Sequence, residues 1–153
     1  MKNITLIILV LFLYSCGYSS IYKNLRSQNF KINIIEAKGN SKMNNLIKNE
    51  IKLYSGNNAT NIYNLKINTE YLKETLTKDS TGLITDYKIS ATSKFTIDLK
   101  EKTQVIEIKE TINIKNQSDS FEQNTYEKNI KRNFASLIRE KLILKIYNNI
   151  NDN

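Results

Sequence analysis

Few residues of this 153-residue sequence could perform covalent or acid–base chemistry. It contains a single cysteine, Cys16, and no histidine. Histidine is the commonest general base, and cysteine and histidine are the usual ligands of structural zinc sites, so both kinds of site are disfavoured. The serines and threonines form no nucleophile-elbow motif, and four glycines provide no phosphate-binding loop. We therefore expect no enzymatic activity, no cofactor and no metal.

Charged residues remain as candidates for recognition. Glu107 and Glu110 fall among lysines on a predicted strand, and we interpret them as part of a solvated or ion-paired face. Lys73, Lys78 and Lys88 flank a predicted hairpin, across which Lys73 and Lys88 would approach each other. Such ammonium groups can bind the phosphates of an anionic lipid through charge-assisted hydrogen bonds. A lysine-rich solvated surface is the alternative, because the chain is rich in Lys, Asn and Ile and has a formal net charge of +8.

The residues around Cys16 give it a specific role. Residues 4–14 form an apolar run, interrupted only by Thr5, after the positively charged Lys2. A membrane-spanning helix needs about 20 residues, so this shorter run predicts a secretory signal peptide. The segment that follows, Leu13-Tyr14-Ser15-Cys16-Gly17, resembles the lipobox of bacterial lipoproteins. In that motif a small residue admits the peptidase and the cysteine thiol takes the diacylglycerol; an unmodified cysteine after an ordinary signal peptide is the alternative.

Lipidation at Cys16 predicts three parts of the chain. Residues 1–15 would be the signal peptide, residues 16–29 a lipid-anchored tether, and residues 30–150 a single domain. Several acyl chains on one residue suffice for stable membrane attachment. Export makes nucleic acid an unexpected partner in spite of the positive charge, and a single cysteine excludes an intrachain disulfide.

Hydrophobic periodicity predicts the elements of the domain. Residues 30–37 alternate as a first strand, Ser41 caps a helix, and Gly56 ends that helix as a left-handed cap. The apolar face of this helix comprises Met43, Leu46, Ile47, Ile51 and Tyr54. From residue 60 the period changes to two, which predicts three long antiparallel strands with turns around residues 78–82 and 100–103. Their inward-facing sets are Tyr63, Leu65, Ile67, Thr69 and Tyr71; Tyr87, Ile89, Ala91, Ser93, Phe95, Ile97 and Leu99; and Ile106, Ile108, Ile112 and Ile114, with Glu110 interrupting the last.

A long helix closes the predicted domain. Ser120 and Gln123 match a capping box at its start. Its apolar stripe comprises Phe121, Tyr126, Ile130, Phe134, Leu137, Ile138, Leu142 and Ile146. The order β-α-β-β-β-α predicts an α+β fold, a two-layer sandwich with two helices packed on one face of a four-stranded mixed sheet.

Several segments resemble the LptE family of lipopolysaccharide (LPS)-assembly lipoproteins. Cys16-Gly17-Tyr18 followed by Tyr22 is similar to the family's start. The segment LITDYKISATSKFTIDL, residues 83–99, is similar to its stretch in which a loop leads to a tyrosine and then to alternating apolar residues. The element order is similar too, and so is the final helix, with Phe121 near its start and Leu137-Ile138 near its middle. The chain departs from the family in a final helix rich in Lys, Asn and Ile instead of Ala, and in Ser20 where a proline is common.

The resemblance implies an outer-membrane lipoprotein, lipid-anchored on the periplasmic side. Such a protein plugs the LPS-assembly β-barrel LptD, assists its assembly, and helps deliver LPS to the outer leaflet. The alternative is a stand-alone periplasm-facing lipoprotein with a ligand-binding or structural role and no barrel partner. The barrel hypothesis predicts broad polar surface on the outer face of the sheet, whereas a closed apolar cavity of roughly several hundred Å³ favours the alternative.

Overall fold

The computed structural model describes residues 30–53, 61–98 and 103–151. The predicted signal peptide, the lipobox with Cys16 and the tether lie outside the described residues, as do Tyr54, Gly56 and Leu99. The described chain forms, in order, β1 (Phe30–Gly39), α1 (Ser41–Lys52), β2 (Asn61–Lys78), β3 (Ile84–Asp98), β4 (Thr103–Lys115) and α2 (Ser120–Asn151).

The four strands form one mixed sheet in the order β1-β2-β3-β4. β1 is parallel to β2, while β2–β3 and β3–β4 are antiparallel pairs. Both helices contribute to a single apolar core with the inward face of the sheet, and they also contact each other. The predicted two-layer α+β sandwich is therefore confirmed.

The inward-facing residues of the three long strands are those that the alternation predicted. Leu65, Ile67, Ile89 and Phe95 are buried, and the flanking tyrosines at 63, 71 and 87 are partly buried against them. Thr69 faces Ser93 across β2 and β3, and their hydroxyl oxygens lie 3.0 Å apart in a buried hydrogen bond. These two polar groups satisfy each other, which removes most of the cost of burying them.

The junction of β1 and α1 differs from the prediction at the cap. Gly39 has a φ of +82°, and this left-handed backbone turns the chain so that the Asn40 amide donates to the Thr69 carbonyl (2.7 Å). Asn40 then precedes the helix in extended conformation, and its side-chain oxygen accepts from the Met43 amide (3.0 Å). Asn40 is thus the N-cap and Ser41 the first helical residue, so the cap predicted at Ser41 is wrong. The helix ends at Lys52, earlier than the predicted end.

The interruption at Glu110 is an inward-facing carboxylate. Glu110 lies between the inward positions of Ile108 and Ile112, with only 9% of its surface exposed. The Lys141 ammonium of α2 lies 2.6 Å from one of its carboxylate oxygens. The predicted ion pairing is therefore present, but Glu110 is on the core face, and only Glu107 lies on the exposed one.

The start of α2 also differs from the prediction. The Asp119 carboxylate accepts from the Glu122 amide (2.8 Å), so Asp119 is the cap and the box predicted at Ser120 and Gln123 is wrong. Gln123 is buried, and its side-chain oxygen accepts from the Gln117 amide (2.9 Å). Gln123 marks the buried face of the helix. Phe121 lies two residues earlier, about 200° around the helix axis from Gln123, so its side chain points away from the core and is 77% exposed.

The apolar stripe of α2 therefore begins later than predicted. Tyr126 is 39% exposed, so it and Phe121 do not belong to the buried stripe. From Ile130 the prediction is confirmed: Ile130, Phe134, Ile138, Leu142 and Ile146 are buried, and Leu137 is partly buried.

Candidate functional site

The three lysines predicted as an anion site are separated by the β2–β3 register. Lys73 pairs with Ile89, which is buried on the core face, whereas Lys88 pairs with Glu74 on the opposite face. Successive side chains of a strand point to opposite faces, so Lys73 and Lys88 do not approach each other and that expectation is wrong. Lys78 lies exposed at the end of β2. The structure therefore does not bring these three ammonium groups together.

Lys73 instead connects the sheet to α2. Its ammonium forms an ion pair with Glu127 and lies 3.8 Å from the centroid of the Tyr87 ring. The Glu127 carboxylate also accepts from the Gln123 side-chain amide (2.8 Å). Burial would raise the pKa of Glu127, but these hydrogen bonds and the charges of Lys73 and Lys131 hold it below its usual value. Glu127 is therefore ionised, and its charge is matched by Lys73 from the sheet side.

Tyr71 lies next to this ion pair. The Lys131 ammonium sits 4.6 Å from the centroid of its ring, in the geometry of a cation–π contact. Burial, with a smaller contribution from the negative charge of Glu127, raises the pKa of Tyr71 to about 12. Its hydroxyl is buried and has no hydrogen-bond partner among the described residues. Tyr71 thus presents the face of its ring to the Lys131 ammonium.

A groove of about 490 Å³ runs between α1 and α2 beside Lys131, and we call it the basic groove. Its lining combines four cationic side chains, three amides, one carboxylate and one apolar residue: Lys42, Lys128, Lys131, Arg132, Asn45, Asn49, Asn124, Glu127 and Leu46. None of the four cations forms an ion pair within 4 Å in the described part of the chain. The basic groove was not predicted, although the spacing of Lys128, Lys131 and Arg132 by three and four residues places them on one helical face.

The exposed face of β2, β3 and β4, which we call the outer sheet face, carries residues of both charges. Across neighbouring strands Glu74 faces Lys88, Lys94 faces Glu107, and Asp86 faces Lys115. Threonine, serine and asparagine lie between these pairs, with a few exposed apolar residues, among them Leu72 and Val105. The outer sheet face is broad, polar and close to charge-balanced.

Two further observations bear on chemistry and membrane topology. Across residues 30–53, 61–98 and 103–151, no group of three or more Asp, Glu, Cys or His side chains is close enough to hold a metal ion. Neither described helix combines the length and the apolar character required to cross a membrane.

Solved structures share this fold. It is similar to the rare lipoprotein B from Shewanella oneidensis, with a TM-score of 0.59 and 11% identity, over 78% of this chain and 98% of that one. It is also similar to a chain described as a candidate lipoprotein from Caulobacter crescentus, with a TM-score of 0.52 and 9% identity, over 85% and 94% of the two chains. This fold occurs among bacterial lipoproteins. No protein-family model and no curated protein sequence matches the chain, so the likeness concerns the fold alone.

Proposed function

We propose that this chain is an outer-membrane lipoprotein that plugs the LPS-assembly β-barrel, assists its assembly and helps deliver LPS to the outer leaflet. In this proposal Cys16 carries the lipid anchor, the domain faces the periplasm, and its role is non-catalytic. The observation that carries the proposal is the outer sheet face. It is the surface that a domain enclosed by a polar barrel interior requires.

The dimensions and chemistry of this face support the proposal. The four strands of the sheet span roughly 15 Å between the outermost strand axes, and the 13 residues of β4 span about 40 Å. The interior of a large outer-membrane barrel is polar and wide enough for a plug domain. Alternating charges such as Lys94 beside Glu107 can match polar side chains of either sign on a barrel wall.

The fold and the predicted anchor give separate support. Two lipoprotein structures are similar in fold, and the resemblance to the LptE family extends over most of the chain. A lipid anchor on residue 16 would hold the domain at the barrel mouth and raise its effective concentration there. Cavities of about 490, 350, 280 and 270 Å³ between described residues are each lined in part by charged side chains, which does not favour an apolar ligand pocket.

Co-purification tests the proposal. An affinity-tagged full chain is recovered from solubilised outer membranes, alongside Cys16→Ser and Lys94→Glu/Lys109→Glu variants. We expect the wild type to bring down a large β-barrel, the Cys16 variant to leave the membrane fraction, and the outer-face variant to recover less barrel. A circular dichroism spectrum identical to that of the wild type serves as the folding control for the outer-face variant.

The opposite outcome would support the stand-alone alternative. If the anchored chain is recovered alone, and its depletion leaves surface LPS unchanged, the barrel proposal fails. The basic groove is the observation that favours this alternative, because its volume lies within the range of roughly 300–1,000 Å³ typical of ligand sites.

A further inference from the structure

We propose that the outer edge of β4 is a docking site for an extended, acidic segment of a partner protein, which joins the sheet as a fifth strand. β4 is the last strand in the sheet order, so one side of it faces no other strand among the described residues. An edge of this kind offers a row of backbone N–H and C=O groups to another chain. The inference goes beyond the proposed function, because it requires neither the barrel nor LPS.

The hydrogen bonds around β4 show which backbone groups face this edge. The Asn116 amide, directly after β4, donates to the Thr85 carbonyl of β3 (2.7 Å). Backbone groups alternate between the two sides of an antiparallel strand, so the even-numbered residues of β4 bond to β3 and the odd-numbered residues point outward. The Lys145 ammonium agrees with this direction, because it donates from α2 to the Glu107 carbonyl (3.2 Å). The outward-facing set is Thr103, Val105, Glu107, Lys109, Thr111, Asn113 and Lys115.

The edge is long and regular, as strand addition requires. β4 has 13 residues, and its pairing with β3 runs over this full length without a register shift. Natural edge strands are usually kept from pairing by short length, proline, bulges or inward-pointing charges. β1, at the other edge of the sheet, has a shift in register between Ile34 and Glu36. In β4 the inward-pointing charge is Glu110, and the Lys141 ammonium neutralises it at 2.6 Å.

A groove of about 350 Å³ beside this edge, which we call the edge groove, indicates the chemistry of the added segment. It lies between β4 and α2, and its lining combines three lysines, one glutamate and two apolar residues: Lys109, Lys141, Lys145, Glu107, Ile108 and Leu144. In an added strand, the side chains that point toward the helix layer would enter the edge groove. They would meet more positive than negative charge.

The spacing of two lysines matches that of a strand. Lys141 and Lys145 are one helical turn apart on α2, about 6 Å along its axis. Alternate residues of a strand are about 6.7 Å apart, so carboxylates at two successive inward positions can each meet one lysine. Leu144 provides apolar contact beside them. When an amide of the added strand takes the Glu107 carbonyl, the Lys145 ammonium is released to pair with a carboxylate.

The same lysines disfavour a second copy of this chain as the added strand. Antiparallel pairing of two β4 edges would place Lys141 and Lys145 of one copy beside the same lysines of the other. Like charges brought together across an interface act strongly against the wrong partner. An acidic segment meets a cation at these positions instead.

The test measures binding of nine-residue peptides to the full chain in neutral detergent micelles by fluorescence anisotropy. The acidic probe alternates threonine with glutamate around one central valine, and the control probe has lysine in place of each glutamate. We expect the acidic probe to bind about tenfold or more tightly than the control probe, because charge complementarity favours it.

Backbone N-methylation separates strand addition from attraction between charges, since it removes amide donors and leaves the peptide charge unchanged. Methylation at the threonines blocks an antiparallel strand, and methylation at the glutamates and valine blocks a parallel one. One of the two patterns should therefore weaken binding about tenfold or more, through the loss of several hydrogen bonds, while the other changes it less than about threefold.

Variants of the chain test the same surface from the other side. Lys109→Gln/Lys145→Gln should weaken binding of the acidic probe about fivefold. The matched control Lys31→Gln/Lys52→Gln removes two exposed lysines at the β1 side and should change it less than about twofold. Thr111→Pro removes an outward amide donor and no bond to β3, so it should weaken binding about tenfold or more with an unchanged circular dichroism spectrum.

The remaining outcomes would overturn the proposal. Equal binding of the acidic and control probes would exclude an acidic segment. Equal effects of the two methylation patterns, or no effect of either, would exclude strand addition, because charge alone would then hold the peptide. Self-association of the chain that Thr111→Pro abolishes would identify a second copy as the occupant of this edge.

Discussion

Replacing Gly39 with alanine should destabilise the fold far more than the same replacement at Gly82. Both glycines have positive φ angles, 82° and 86°. A Cβ added at Gly39 would lie 2.1 Å from the Thr69 carbonyl oxygen and 2.9 Å from the Asn68 side-chain oxygen. At Gly82, in the β2–β3 loop, nothing lies within 4 Å. The pair therefore separates the cost of the backbone conformation from the cost of the close approach.

The expected magnitudes follow from these distances. A left-handed residue with a side chain costs about 1–2 kcal/mol, and alanine recovers about 0.4–1 kcal/mol by restricting the unfolded chain. Gly82→Ala should therefore lower the free energy of unfolding by about 1 kcal/mol. At Gly39 the obstacle is backbone, and relieving it means separating β1 from β2 and lengthening the 2.7 Å bond from the Asn40 amide to Thr69. We expect a total loss of about 3 kcal/mol or more.

Urea unfolding measures both variants. The chain has nine tyrosines and no tryptophan, so tyrosine fluorescence and far-ultraviolet circular dichroism are the probes. With an m-value of about 2 kcal/mol/M, the midpoint should fall by about 1.5 M for Gly39→Ala and about 0.5 M for Gly82→Ala. Equal shifts in the two variants would refute the argument that the approach of Gly39 to β2 requires a residue without a side chain.

Two further predictions concern buried polar groups. The pKa of the Tyr71 hydroxyl is raised from 10.0 to about 12, so the folded state holds this proton more tightly than the unfolded state does. The free energy of unfolding that this difference contributes is fully present below about pH 10 and is lost as the pH rises to 12. Tyr71→Phe should remove this loss and the last phase of a spectrophotometric tyrosine titration, without lowering stability at neutral pH. Lys141→Met leaves the Glu110 carboxylate without its cation and should cost about 1–3 kcal/mol, whereas Glu110→Ile/Lys141→Met should return close to wild-type stability in thermal unfolding.

Each of these predictions has a control. Tyr126→Phe changes an exposed ring and should leave the late titration phase in place; if it removes that phase, the assignment to Tyr71 is wrong. Lys145→Met removes a neighbouring lysine of α2 whose one hydrogen bond among the described residues goes to the Glu107 carbonyl (3.2 Å), and it should be nearly neutral. A double variant as unstable as Lys141→Met alone would contradict the view that an unpaired Glu110 is the source of the loss.

The strands could be predicted from the sequence because their two faces differ in chemistry. In β3, alternating Ile89, Ala91, Phe95 and Ile97 identify the core face without any knowledge of neighbouring strands. One apolar and one polar face along three consecutive strands require a helix layer on one side, which gives the two-layer fold.

The caps could not be predicted to the residue. Asn40 and Ser41 are adjacent and both are good N-caps, as are Asp119 and Ser120. The choice at Asn40 depends on the left-handed turn at Gly39 and on its contact with β2, which are tertiary features.

The candidate site depended on register and on helix packing. Whether Lys73 meets Lys88 is decided by a shift of one residue in β2–β3 pairing, which the loop sequence does not specify. The basic groove joins Lys42 to Lys128 and Arg132, residues more than eighty positions apart, through the contact of α1 with α2. Charge spacing on one helix indicates a cationic face, but only the packing shows what lies across from it.

The order of strands in the sheet has a consequence for how the chain folds. Every strand lies beside its neighbour in sequence, so each can join an existing edge without passing between strands already in place. The 32 residues of α2 supply Phe134, Ile138 and Leu142 to the core, so the part of the apolar sheet face that α1 does not cover stays exposed until α2 docks. Until α2 docks, the partly folded chain exposes an aggregation-prone apolar surface, and the docking of this helix is the step that removes it.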